Sequence, residues 1–239
     1  MKLIHIIIRS YRVPSYSLMF ILFIATVLLF QHAWVPGLFT DGGIYSTVAA
    51  NMASGMGWLV PHFNAEMYPK FFEHPPFFMM FSGGICKALG INFVTARLPN
   101  FIAMILLILT LWFHLVKLDS RRLAYLATLI LLLCPALLKK SRFLNMDIPL
   151  TLFITASLLF YLWAMNAGKP GRNWFLSGLF FGLALLMKGP PAMLIPFVMG
   201  LHLLISGQLK KLISPYPWLG LLTGCLIFAI WPLSLYQVG

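Results

Sequence analysis

Long stretches of this chain, among them residues 13–40, 98–116, 173–187 and 212–239, contain no Lys, Arg, Asp or Glu. A helix rises about 1.5 Å per residue, so roughly 20 apolar residues span the hydrocarbon of a bilayer, about 30 Å thick. Inside lipid the backbone must satisfy its own polar groups, which leaves helices or closed barrels. Barrel strands alternate apolar and polar residues in short segments, and these runs do not alternate. The chain is therefore expected to be an all-α polytopic membrane protein. Charged residues make up 9% of the 239, where a soluble domain carries about 25%.

A net charge of +12 raises nucleic acid as a partner. The basic residues fall between the apolar runs, which argues against nucleic acid and for membrane lipids as the surroundings. Cys86, Cys134 and Cys225 are scattered, with no disulfide framework or metal-ligand spacing. The basic N-terminus leads into an apolar run with no small-residue cleavage site after it, which reads as a retained first span.

The runs divide into about seven transmembrane helices, near 16–34, 98–116, 123–138, 148–166, 173–187, 190–207 and 214–234. The segment 75–90, "PPFFMMFSGGICKALG", is apolar but short and carries Lys87. If it does not cross, then Lys2, Arg9, Arg12, Lys117, Arg121, Arg122, Lys169, Arg172, Lys210 and Lys211 share one side, ten of the 17 basic residues. That is the pattern of the positive-inside rule. Residues 35–97 then form the first external loop, with juxtamembrane helices. One begins at Thr40 or Asp41 as a cap and ends near Gly55 and Gly57; the other is 75–90. Four of the five acidic residues, Asp41, Glu66, Glu73 and Asp147, face this outer side, and Asp119 faces the other.

These carboxylates and the cations near them are the candidate chemistry. Asp41, just past the first span, suits a general base and equally a helix cap. Glu73 and His74 precede Pro75 and Pro76, which stiffen the backbone that carries them. A hard divalent cation would choose Glu73 and a softer one His74; surface charge on a juxtamembrane loop explains the pair as well. Lys139, Lys140 and Arg142 stand just before Asp147 and suit an anionic phosphate or lipid headgroup. Lys188, in "MKGPPAM", is a lone lysine between apolar runs, where charge needs a partner or the interface. No glycine-rich phosphate loop is present, and no nucleotide cofactor is expected.

The ordered set "DGGIYSTVAANMASGMGWLVPHF", "YPKFFEHPPFFMMFSGGICKALG", "TARLPN", "KKSRFLNMDIPL" and "MKGP" resembles the N-terminal part of integral-membrane glycosyltransferases of the ArnT and protein-mannosyltransferase type, the GT-C superfamily. The resemblance covers nearly the whole chain, residues 1–239. It implies transfer of a hexosyl or pentosyl group from a polyprenyl-phosphate-linked sugar to a lipid, glycan or protein acceptor. The enzyme would sit in the bacterial cytoplasmic (inner) membrane, with its active face extracytoplasmic. By that resemblance Asp41 and Asp147 are the catalytic carboxylates, Glu73 holds a divalent metal cation, and His74, Arg142 and Lys188 bind the donor phosphate. Gly42 stands where such enzymes carry a second acid, and His74 where they carry a lysine. A phosphate contact at His74 should then vary with pH near 6–7.

Two other readings compete. A transporter or flippase of a lipid-linked intermediate would place charge deep within spans or broken helices, and these spans hold almost none. Enzymes of this type have roughly a dozen spans, so the chain is expected to be truncated, and an inactive membrane fragment is the third reading.

Overall fold

The structure, a computed structural model, describes residues 16–31, 33–37, 41–64, 66, 69–118, 121–166 and 170–238. Every regular element among them is helical. In chain order these are α1 Ser17–Phe30, α2 Asp41–Ala53, α3 Phe77–Leu89, α4 Phe93–Leu118, α5 Arg121–Leu133, α6 Pro135–Ser141, α7 Asp147–Asn166 and α8 Pro170–Lys188. After a 3-10 turn at Pro190–Met193 come α9 Leu194–Ile205, a second 3-10 turn at Leu209–Ile213, and α10 Pro215–Val238. The expected cap at Thr40, the basic start of the chain and Asp119 lie outside the described residues.

Among the described residues, three helices are long and apolar enough to cross a membrane: Phe93–Lys117, Asp147–Asn166 and Pro215–Tyr236. A fourth crossing results if α5 and α6, bent by 68° at their junction, act as one. The expected count of seven is not reached on length and composition. The reason is local. Pro135 lacks an N–H and stands at the start of α6, so the run 123–138 breaks there. Pro190 and Pro191 open a 3-10 turn and shorten the next helix to 12 residues. Outside those seven, α3 has 13 residues and reaches roughly 20 Å, also short of the hydrocarbon thickness.

Small residues and paired hydroxyls set how the helices meet. The motifs Gly178–Gly182 and Gly220–Gly224 pack α8 against α10, and a Cβ on Gly178 would lie 2.0 Å from the Gly220 carbonyl oxygen. This is the small-xxx-small contact of membrane helices, where close backbones supply the attraction that water cannot. Ser157 of α7 and Ser177 of α8 each donate to the other's carbonyl, at 2.8 and 2.9 Å. Gly83 of α3 meets α2 closely, with a Cβ there 3.0 Å from Met52 Cβ.

The bundle has two distinguishable ends. Arg142, after α6, donates to Leu28 O near the end of α1. Asn100, near the start of α4, donates to Lys140 O. The chain thus leaves α1 and enters α4 at one end, with α2 and α3 between. At the opposite end Lys117 lies over the Trp163 ring at 4.7 Å, and Lys211 donates to Met165 O.

Candidate functional site

The first of these ends gathers the candidate residues. Asp41 opens α2 and is exposed. It makes no hydrogen bond or ion pair with another described residue. Gly42 behind it is buried, and a Cβ there would lie 3.4 Å from Leu144 O and Phe143 Cβ. The start of α2 therefore rests on the segment that leads into Asp147. Tyr45, one turn after Asp41, shares its helix face. Its ring packs on Phe71 at 6.4 Å and on His74 at 5.9 Å.

Pro75 and Pro76 are buried, and Pro76 precedes the first turn of α3. They fix how Glu73 and His74 enter the cluster. Glu73 is exposed and His74 largely buried, with their side chains 3.9 Å apart. Burial holds the His74 imidazole below its ordinary 6.5, and Lys188 pushes the same way against Glu73, Asp41 and Asp147. His74 is therefore a neutral ring at neutral pH. The expectation of a charge change near pH 6–7 is corrected: the transition moves to lower pH, because the ring is desolvated beside a lysine. The Tyr45 hydroxyl is pushed well above its ordinary range, by burial first and then by Glu73, Asp41 and Asp147. It remains a protonated donor. Three carboxylates from separate parts of the sequence thus act on one phenol.

Asp147 begins α7 and is held by a short chain of amides. Its N–H donates to Asn145 Oδ1 at 3.0 Å, and Asn100, fully buried, accepts from the Asn145 N–H at 3.3 Å. Both Asn100 and Asn145 donate to Lys140 O. The carboxylate is then shared: Lys188 Nζ donates to Oδ1 at 2.7 Å and Lys140 Nζ to Oδ2. Lys188 reaches it because Gly189, at φ 68°, ends α8 in a left-handed turn with its N–H on Leu185 O.

Arg142 is the expectation the structure does not bring in. Its Nε and Nη2 both donate to Leu28 O, at 3.2 and 2.8 Å. Carbonyls in the last turn of a helix lack partners within it, and this guanidinium supplies them. Lys140 is the cation of this segment that reaches Asp147. Nor do the described donors fit a resident metal. Glu73 and His74 give two ligands, and no group of three or more His, Cys, Asp or Glu suited to a metal ion occurs among the described residues. No step below runs through one.

Sequence reasoning missed Tyr45 as a member of the cluster, although its spacing of four from Asp41 on a helix was a usable signal. Beneath the cluster, Phe77, Phe81, Pro99, Pro149, Leu152 and Met187 help line an apolar cavity of about 220 Å³.

Residues 73–232 match the family described as dolichyl-phosphate-mannose-protein mannosyltransferase. The chain is also similar to the undecaprenyl phosphate-alpha-4-amino-4-deoxy-L-arabinose arabinosyl transferases of Erwinia tasmaniensis and Aeromonas hydrophila. Each is 26% identical over 228 residues, covering 92% of this chain and 40% of the relative. The chain thus spans about two fifths of the length of the curated relatives it matches. Among solved structures it resembles ArnT from Cupriavidus metallidurans bound to undecaprenyl phosphate, with a TM-score of 0.80 and 22% identity over 91% of this chain and 41% of that one. The same enzyme in the apo state gives a TM-score of 0.80 over 89% of this chain.

Proposed function

This chain belongs to the dolichyl-phosphate-mannose-protein mannosyltransferase family, and from that membership we propose that it moves a sugar from a polyprenyl-phosphate carrier to a lipid, glycan or protein acceptor. The observation that carries the reading is the gathering at one end of the bundle of Asp41 at the start of α2, Glu73 and His74 beside Tyr45, and Asp147 paired with Lys188. A cluster of opposite charges at one end of the bundle, above an apolar cavity, suits a substrate with a phosphate head and a hydrocarbon tail. The curated relatives are undecaprenyl-phosphate-dependent by name, which supports the same donor class.

In this reading the acceptor oxygen attacks the anomeric carbon as the bond from that carbon to the phosphate oxygen breaks. Asp41, exposed and with no ion partner among the described residues, orients the acceptor and takes its proton. Lys188 faces the phosphate as negative charge develops on the departing carrier. Attack opposite the leaving group inverts the anomeric centre. Tyr45 donates a hydrogen bond from a phenol that stays protonated. Glu73, exposed at the rim, faces the sugar. The short basic loops at the opposite end support a reaction on the extracytoplasmic face of a bacterial inner membrane.

Transfer from labelled undecaprenyl-phosphate sugars tests the reading, in membranes carrying the parent chain, Asp41→Asn or Glu73→Gln. Transfer by the parent and a loss of about 100-fold in Asp41→Asn are expected. Equal transfer by all three overturns the assignment.

A further inference from the structure

Lys140 and Lys188 come from different helices and end on the two oxygens of one carboxylate. A single acid facing two ammonium groups leaves a net positive pair at the bundle end. The Lys140 side chain is about half exposed, and its ammonium keeps donors beyond the one spent on Asp147. Its backbone is fixed as well, because two asparagine amides, Asn100 and Asn145, converge on its carbonyl. Asn100 is fully buried at the start of α4, and that is an expensive place for an amide unless it is hydrogen-bonded. The chain Asn100, Lys140, Asn145, Asp147 and Lys188 therefore ties α4, α6, α7 and α8 to one another at the point where the two ammoniums meet.

We propose that Lys140 and Lys188 form a two-lysine seat for the phosphate of the prenyl carrier, and that Asp147 is a positioning residue that holds them. This rests on the donor class proposed above and adds to it a second phosphate cation and a changed role for Asp147. Two ammoniums brought together without Asp147 would repel. With it they stay close, each with a donor turned outward to a doubly charged oxyanion. A carboxylate already bonded by two lysines is poorly placed to take a proton from an acceptor, so the base is Asp41. His74, a neutral ring, adds no charge to the seat, so the seat's positive charge is the lysines' own.

The experiment measures binding of undecaprenyl phosphate to the 239-residue chain in detergent, with inorganic phosphate and undecaprenol as further probes. The parent, Lys140→Gln, Lys140→Arg, Lys139→Gln and Asp147→Asn are compared. Lys140→Gln should bind undecaprenyl phosphate about 10-fold more weakly, since a hydrogen bond to a charged group is worth at least that factor. Lys140→Arg should restore most of the loss, and Lys139→Gln, which removes the same charge next door, should bind as the parent does. Asp147→Asn should lose affinity too, whereas a base would lose transfer with binding intact. Competition by inorganic phosphate identifies the phosphate itself as the ligand, and undecaprenol should bind all variants equally. If the parent binds but Lys140→Gln binds equally well, or if Lys139→Gln is equally impaired, the seat is overturned. If the parent binds no undecaprenyl phosphate, the donor reading falls and the seat with it.

Discussion

The same substitution, Gly to Ala, should have opposite effects at two positions on adjacent helices. A Cβ on Gly178 would lie 2.0 Å from the Gly220 carbonyl oxygen and 2.6 Å from its carbonyl carbon. Ordinary carbon–oxygen contact is nearer 3.2 Å, so α8 and α10 would have to separate by roughly 1.2 Å. Backbone lies on the far side of the contact, and no rotamer change can relieve it. Overpacking of this kind costs about 1–3 kcal/mol, and the separation also loosens Gly182 against Gly224 and Ile227. Alanine recovers about 0.5–1 kcal/mol through helix propensity, leaving a net loss of about 1 kcal/mol. At Gly200 of α9 a Cβ meets nothing within 4 Å, so Gly200→Ala keeps the propensity gain of about 0.5–1 kcal/mol. Unfolding of both variants by dodecyl sulfate in mixed micelles measures the difference directly. Because α8 ends at Lys188, Gly178→Ala should also weaken undecaprenyl phosphate binding. If Gly178→Ala is as stable as Gly200→Ala, helix contact through the glycines is not what holds α8 to α10.

Asp41→Asn should lose about 100-fold or more in transfer while binding undecaprenyl phosphate like the parent, as measured by parallel transfer and binding assays; equal losses in both would make Asp41 a binding residue. His74, held below 6.5 by burial, is neutral in the folded chain where the unfolded chain already takes a proton. Its contribution to stability is therefore full above about pH 6.5 and falls as pH drops from there toward the folded value. Melting curves between pH 7.5 and 5.5 should show that fall in the parent and less of it in His74→Gln. Arg97 donates to the carbonyls of Ala33, Val35 and Gly37, so Arg97→Ala should cost about 2 kcal/mol or more in the same dodecyl sulfate titration, and an unchanged midpoint would assign those carbonyls other partners.

Helix type and the ends of most helices were legible in the sequence, because long charge-free runs admit few alternatives. The extent of each crossing was not. A proline at a helix start and a proline that breaks a helix look alike until packing is known, which is why 123–138 reads as one span and folds as α5 and α6 with a sharp bend. The same bend decides the site. Lys139, Lys140 and Arg142 all precede Asp147 in sequence, and any of them could face it. The helical phase of α6, set where Pro135 restarts the helix, turns Lys140 toward the carboxylate and sends Arg142 to Leu28. Charge type was readable from the residues, while direction was a property of the turn before them. The opposite holds for the paired glycine motifs of α8 and α10, whose spacing is plain in the sequence; only the contact between helices shows that they face each other.

The cations at the site end also bear on orientation. In the proposed orientation Lys70, Lys87, Arg97, Lys139, Lys140, Arg142 and Lys188 are seven basic residues on the side where the positive-inside rule expects few. Most of them have local employment. Arg97 and Arg142 supply donors to carbonyls at and beyond the end of α1, Lys140 and Lys188 share Asp147, and Lys87 lies over the Trp58 ring at 5.9 Å. These positions are explained by a partner in the structure, and a residue fixed by its partner carries little information about which side of the membrane it occupies. The residues that do carry it are those in short loops between crossings. In the proposed orientation the clusters around Lys117 to Arg122, Lys169 to Arg172 and Lys210 to Lys211 share one side, so the surplus of cations on the other side loses most of its weight against it.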